Sequence, residues 1–278
     1  MTLVTLALLL NGCSPQQGPA RPEDTAPPTL ADLSAQVDPT NGRIVLPLDR
    51  FDVSTVEQRT IDYAINVLLS RCMAQAGHTF AAIDNRASAQ RSNLRYGLWV
   101  EAEAARYGYA GPPSGPEQQQ LAEQNARPFS EAERRRYVAC AKSAPMRDLR
   151  LPALQSQHFA MQTYRETISS ADGRTLIGSW RQCLAGHGVT THDAPDRIWA
   201  PDGALPTETE ESRRIAMLDV RCKTELGLVS KLATAEARAQ ESIVRQHHSE
   251  LRLQRRQIED ALATAEQIIA DTRTAGHP

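Results

Sequence analysis

The sequence predicts a mostly α fold: a disulfide-stapled helical body of two related halves, with a long, coiled-coil-like C-terminal helix. Three observations carry this. Aromatic residues make up only 5% of the 278-residue chain, so the core must rest on Leu, Ile, Val and Ala, which suits helices better than sheets. Apolar residues recur at three- and four-residue spacing behind Ser/Thr-x-x-Glu signatures. Four of the five cysteines lie between residues 72 and 222, in settings that echo one another.

The totals narrow the function classes. A charged fraction of 23% and an apolar fraction of 41% are those of an ordinary globular protein. A net charge of −2 supplies no electrostatic footprint for nucleic acid. No segment after the first ten residues approaches the roughly eighteen consecutive apolar residues of a membrane span.

Residues 1–12 read as a signal peptide truncated at its start, because an apolar run from Leu3 to Leu10 has no Lys or Arg before it. Leu10-Asn11-Gly12-Cys13 fits a bacterial lipobox except at Asn11, where a smaller residue is usual. Cys13 is therefore the expected lipidation site, a palmitate-type anchor to the membrane. Residues 13–40 are expected to form a disordered tether, since six prolines and few large apolar residues cannot offset the entropy of ordering. Such a chain spans about 30 Å.

The first helical half is expected over 41–148. Arg43 to Leu48 is at most a short extended segment, because Pro47 bars it from a central strand. Ser54-Thr55-Val56-Glu57 is a capping box, followed by an apolar face of Ile61, Ala64, Ile65, Leu68, Leu69 and Cys72, with Gly77 as the stop. Glu101 to Arg106 reads as a short helix, and Gly111-Pro112-Pro113-Ser114-Gly115-Pro116 as a loop. Ser130-Glu131-Ala132-Glu133 opens a helix through Cys140 that stops before Pro145.

The second half, 149–228, repeats the plan. A pattern from about Leu154 breaks at Asp172-Gly173, resumes through Trp180, Cys183 and Leu184, and stops at Gly186-His187-Gly188. Thr207-Glu208-Thr209-Glu210 reads as a third capping box. It launches a helical stretch to about Asp271, with 229–278 as the long helix and tail. Its stripe runs through Ile215, Leu218, Cys222, Val229, Leu232, Ala235, Ala239 and Ile243, then shifts phase through Leu251, Ile258, Leu262, Ala265 and Ile269. Unbroken, it would be about 95 Å long. It either projects or bends near Gly227 or His247-His248 and packs back.

With Cys13 assigned to lipid, four cysteines remain, and four allow three pairings. Cys72 and Cys183 each end a helix ahead of Gly and His, while Cys140 and Cys222 each sit in the capped helix that follows. The echo favours Cys72 with Cys140 and Cys183 with Cys222. The competing reading is a metal site, because His78, His187 and His192 lie near the cysteines, although no Cys-x2-Cys accompanies them.

Arg95-Tyr96-Gly97 with Arg106-Tyr107-Gly108-Tyr109, then Trp180-x2-Cys183-x2-Gly186, then Asp219-Val220-x-Cys222-Lys223-x3-Gly227-Leu228-Val229 resemble uncharacterised actinobacterial lipoproteins. The resemblance runs from about Ile44 to the C-terminus. It implies an extracytoplasmic, lipid-anchored, mostly helical protein on the outer face of the cell membrane, and it carries over no known activity.

No Gly-x-Ser-x-Gly, P-loop, dinucleotide fingerprint or His-Glu-x-x-His is present. No catalytic residue, cofactor or metal is expected. Tyr96, Trp99, Tyr107 and Tyr109, in a glycine-punctuated stretch, form the candidate ligand or partner surface, and equally a lid over a thin core. The stripe of the last helix is core or the contact for an envelope protein partner. The expected function is non-enzymatic binding or scaffolding at the envelope, with an envelope hydrolase or a metal-binding lipoprotein as the alternatives.

Overall fold

The computed structural model of the chain describes residues 27–29, 31–151, 153–191, 199, 201–202, 204, 206–207 and 209–274. The expected signal peptide, the expected lipidation site Cys13 and most of the expected tether lie outside these residues, as does His192. Among them the fold is helical, with one two-stranded sheet.

The expected tether is too long at its C-terminal end. Gln36–Asp38 (β1) pairs antiparallel with Arg43–Val45 (β2), and Leu33 is buried with Leu48 and Phe51. The hairpin closes because the Asp38 carboxylate accepts the backbone N–H groups of Thr40 and Asn41, at 3.0 and 3.1 Å. Pro47 does end the extended segment. It opens a 3-10 helix, Pro47–Phe51, whose Asp49 carboxylate accepts the Leu46 N–H at 2.8 Å.

Helix α1, Thr55–Ala74, carries the expected capping box: Ser54 Oγ accepts from Glu57 N, and the Glu57 side chain accepts from Ser54 N. It ends in a Schellman turn, with His78 N–H on Met73 O, Gly77 N–H on Ala74 O and Gly77 at φ +73°. Helix α2 is Glu101–Tyr107. Helix α3, Pro116–Ala126, replaces the last residue of the expected loop, with Pro116 in its first turn. None of its side chains is buried, so no apolar stripe announced it. Helix α4, Glu131–Ala141, has the Ser130–Glu133 box, and the short α5, Ala144–Asp148, follows it.

Helices α6, Gln155–Ser169, and α7, Ala171–Gly186, break at Ser170, just before the expected Asp172-Gly173. Ser170 Oγ accepts the Gly173 N–H, and a Cβ on Gly173 would stand 2.1 Å from Thr167 O. Helix α7 ends like α1: Val189 N–H bonds Leu184 O, Gly188 N–H bonds Ala185 O, and Gly188 sits at φ +74°. The matching glycines are thus Gly77 and Gly188, each five residues after a paired cysteine, rather than Gly77 and Gly186.

The long C-terminal stretch bends at both expected places. Gly227, left-handed at φ +60°, separates α8, Glu210–Leu226, from α9, Leu228–Gln246, and His247 separates α9 from α10, His248–Thr274. The third cap is displaced from the expected box: Thr209, not Thr207, accepts from Ser212 N. The helices pack back, α8 on α2 and α7, α9 on α6, and α10 along α1. Leu251 packs against Leu48 and Phe51, and Ala261, Ala265 and Ile269 against Ile61, Ala64 and Leu149.

The cysteines pair as the echo favours. Cys72 lies against Cys140 and Cys183 against Cys222, each with Cα atoms 5.8 Å apart, joining α1 to α4 and α7 to α8.

Candidate functional site

Two features stand apart from ordinary core: a sealed pair of polar clusters, and an open polar cleft beside α1. The clusters are organised by the segment 95–99 and by Tyr109. Arg95 forms a two-pronged ion pair with Glu236 of α9, and Tyr96 Oη donates to Glu236 Oε2 at 2.6 Å. Gln240 adds a donor to Glu236 Oε1 at 3.1 Å and accepts the Leu48 N–H at 2.9 Å. Glu236 is fully buried and has every acceptor position addressed, as a buried carboxylate requires.

The second cluster centres on α8. Asp219 accepts from Trp180 Nε1 at 2.8 Å, Tyr109 Oη at 3.0 Å and Lys223 Nζ at 3.1 Å, and Lys223 also donates to Leu98 O at 2.8 Å. The Lys223 ammonium stands over the rings of Trp180 and Trp199. Burial pushes the Asp219 carboxyl above its ordinary range and the Lys223 ammonium below its own, each partner opposing the other's shift. Burial, followed by the neighbouring carboxylate, drives the Tyr96 and Tyr109 phenols well above theirs.

The expected aromatic surface is therefore divided. Tyr96 is a fully buried core residue, Trp99 is buried with Nε1 donating to Asn93 O at 2.7 Å, and Tyr109 reaches inward to Asp219. Tyr107 is half-buried, with the Arg106 guanidinium over its ring. The two Arg-Tyr-Gly echoes are thus not equivalent: Tyr96 of the first gives its hydroxyl to Glu236, whereas beside the second it is Tyr109, one residue beyond the triplet, that reaches Asp219. Gly97 is needed there. At φ +77°, a Cβ would come within 2.6 Å of Lys223 Nζ and 2.8 Å of Trp199 Cβ.

The anchors missed in the sequence are Glu236, Gln240, Asp219 and Lys223. The buried face of α9 runs through Leu232, Ala233, Glu236, Ala237, Gln240 and Val244. Reading apolar residues alone shifts that face onto Ala235 and Ala239, which are half-buried. One signal was available: Asp219 and Lys223 lie four apart beside Ile215 and Cys222, on a face otherwise apolar.

The open cleft, of about 450 Å³, lies between α1 and the segments 83–91 and 110–114. Arg59, Asp62, Tyr63 and Asn66 line one wall, and Asn85, Ser88, Arg91 and Pro112-Pro113 the other. Its arginines are held in place: Arg59 donates to Ser88 O at 2.8 Å, and Arg91 to Tyr109 O at 2.8 Å and Glu103 at 3.2 Å. Ser88 Oγ is buried and has no hydrogen-bond partner among the described residues. A second, more apolar groove of about 580 Å³ runs between the start of α7 and α9, past Leu176, Thr234 and Ala235.

No described helix is long and apolar enough to cross a membrane. Comparison with family models, with curated proteins and with solved structures returns no match.

Proposed function

We propose that the chain is a lipid-anchored extracytoplasmic protein of the kind its resemblance implies, held at the membrane through Cys13 and acting by binding rather than catalysis. The observation that carries the binding reading is the polar cleft beside α1. Its described lining holds one carboxylate, Asp62, and no histidine, among amides, hydroxyls and guanidinium groups. Such a surface offers hydrogen bonds and charge to a polar partner, and it lacks the paired acids that hydrolysis of a wall polymer calls for. The apolar stripe of the last helix is largely packed inside the molecule: Leu251, Ile258, Ala265 and Ile269 are buried, and Ala235 and Ala239 half-buried. The partner contact is therefore assigned to the cleft rather than to that stripe. The exposed large apolar side chains Val56, Leu94, Val138 and Met161 lie on separate elements and form no rival patch.

Capture of envelope proteins on the mature, oxidised chain tests this. One stoichiometric partner should be recovered, and Asn85→Trp, which fills the cleft from an exposed position, should lose it by at least about tenfold. Equal capture by that variant, or turnover of a wall fragment with no partner recovered, would overturn the reading. The anchor is tested separately by Cys13→Ser, which should move the chain from the membrane to the soluble fraction.

A further inference from the structure

The corner where α7 ends against α8 holds two sulfurs and an imidazole. Cys183 sits in the last turn of α7 and His187, four residues on, is the residue that caps its C-terminal end. The Schellman turn at Gly188 fixes the backbone there, with His187 N–H bonded to Leu184 O at 2.9 Å. Cys222 meets them from α8. Cys183 Sγ, Cys222 Sγ and a His187 ring nitrogen all lie within 4.8 Å of one another. This is the one such cluster of potential ligands among the described residues; Cys72 and Cys140 have no histidine placed this way.

We propose that reduction of the Cys183–Cys222 bond turns this corner into a Cys2His site for a thiophilic d10 cation of the zinc(II) type. Two thiolates and a neutral imidazole are the donors such an ion prefers. Tetrahedral ligation at about 2.3 Å for sulfur and 2.0 Å for nitrogen sets the ligand atoms roughly 3.3–3.8 Å apart. The cluster is already close to that, so small side-chain rotations suffice once the sulfurs separate. His187 is exposed, which opens a route for the ion, while Cys222 is fully buried. Three protein ligands leave one coordination position for water.

The chemistry balances with a dithiol as reductant. Its thiolate attacks Cys183 Sγ, the more exposed of the two sulfurs, and Cys222 leaves as a thiolate. The reductant's second thiol then closes its own disulfide and releases Cys183. Two electrons pass to the protein, and the two protons of the reductant end on Cys183 and Cys222. Binding of the cation displaces those two protons.

The test is cobalt(II) titration of the reduced mature chain, followed by zinc(II) displacement. The expected result is one equivalent bound, with a near-ultraviolet thiolate charge-transfer band that zinc abolishes. The variant Cys72→Ala/Cys140→Ala should bind as the parent does. His187→Ala should bind at least about tenfold more weakly, and Cys183→Ala/Cys222→Ala should show no band. If the reduced parent loses helical circular dichroism, zinc should restore it, and should fail to do so in His187→Ala. A parent without the band and without zinc-restored helicity would overturn the proposal. So would parent-like affinity in His187→Ala, or equal binding by the oxidised chain.

Discussion

Lys223 and Asp219 are buried four residues apart on α8, and each is tolerable only because the other is present. Burial opposes both charges, so the pair's net worth is small, whereas a lone survivor is costly. Lys223→Met should therefore destabilise by about 3–5 kcal/mol. Adding Asp219→Asn should recover much of that loss, because the amide still meets Trp180 Nε1 and Tyr109 Oη without a charge. Urea unfolding of both single variants and of the double checks this; a double variant as unstable as the sum of the singles would show that the pair is not coupled. The same logic holds at Glu236, whose five donors come from 95–96, α6 and α9.

Among the described elements, the contact between α1 and α10 is the most extensive. Apolar packing of Ile61 and Ala64 with Ala261 and Ala265 supplies most of it. Its charged clamp is Arg255, which pairs with Glu57 (Nη1 to Oε2, 3.1 Å) and donates to Asp52 O at 3.1 Å. The Arg255 hydrogen bond, against a burial cost, holds the Glu57 carboxyl at about 2, below its ordinary 4.5. A lowered acid pKa stabilises the fold above 4.5, and that contribution fades as pH falls from about 4.5 towards 2. Glu57→Gln should thus lower the thermal midpoint at neutral pH and flatten its fall across that acid window. A parallel curve for variant and parent would show that the clamp contributes nothing.

For the molecule as a whole, the two cysteine pairs span 68 and 39 residues. Loop-closure entropy assigns each about 4 kcal/mol, slightly more to the longer. The surroundings reverse that order. Cys222 adjoins Lys223 and is buried in the main core beside Trp180, whereas α4, which carries Cys140, has no other buried residue. Cys183→Ala/Cys222→Ala should therefore cost more stability than Cys72→Ala/Cys140→Ala. The opposite ranking by denaturant midpoint would mean that loop length alone governs.

Signals satisfied within a few residues were legible in the sequence alone. Ser54 and Ser130 cap their helices through a partner three residues on, Gly77 and Gly227 end theirs by adopting a left-handed backbone, and the cysteine echo matches the pairs that form. The helical class follows from these. Tertiary structure decided the rest, because its partners are distant in the chain. Tyr96 reaches Glu236 across 140 residues, and Tyr109 reaches Asp219 across 110. No local pattern announces that a glutamate on an alanine-rich helix faces inward, or that loops 83–91 and 110–114 close a cleft on α1. A buried polar group is stable only where its counterpart arrives from elsewhere in the fold, and that meeting is a property of packing rather than of spacing.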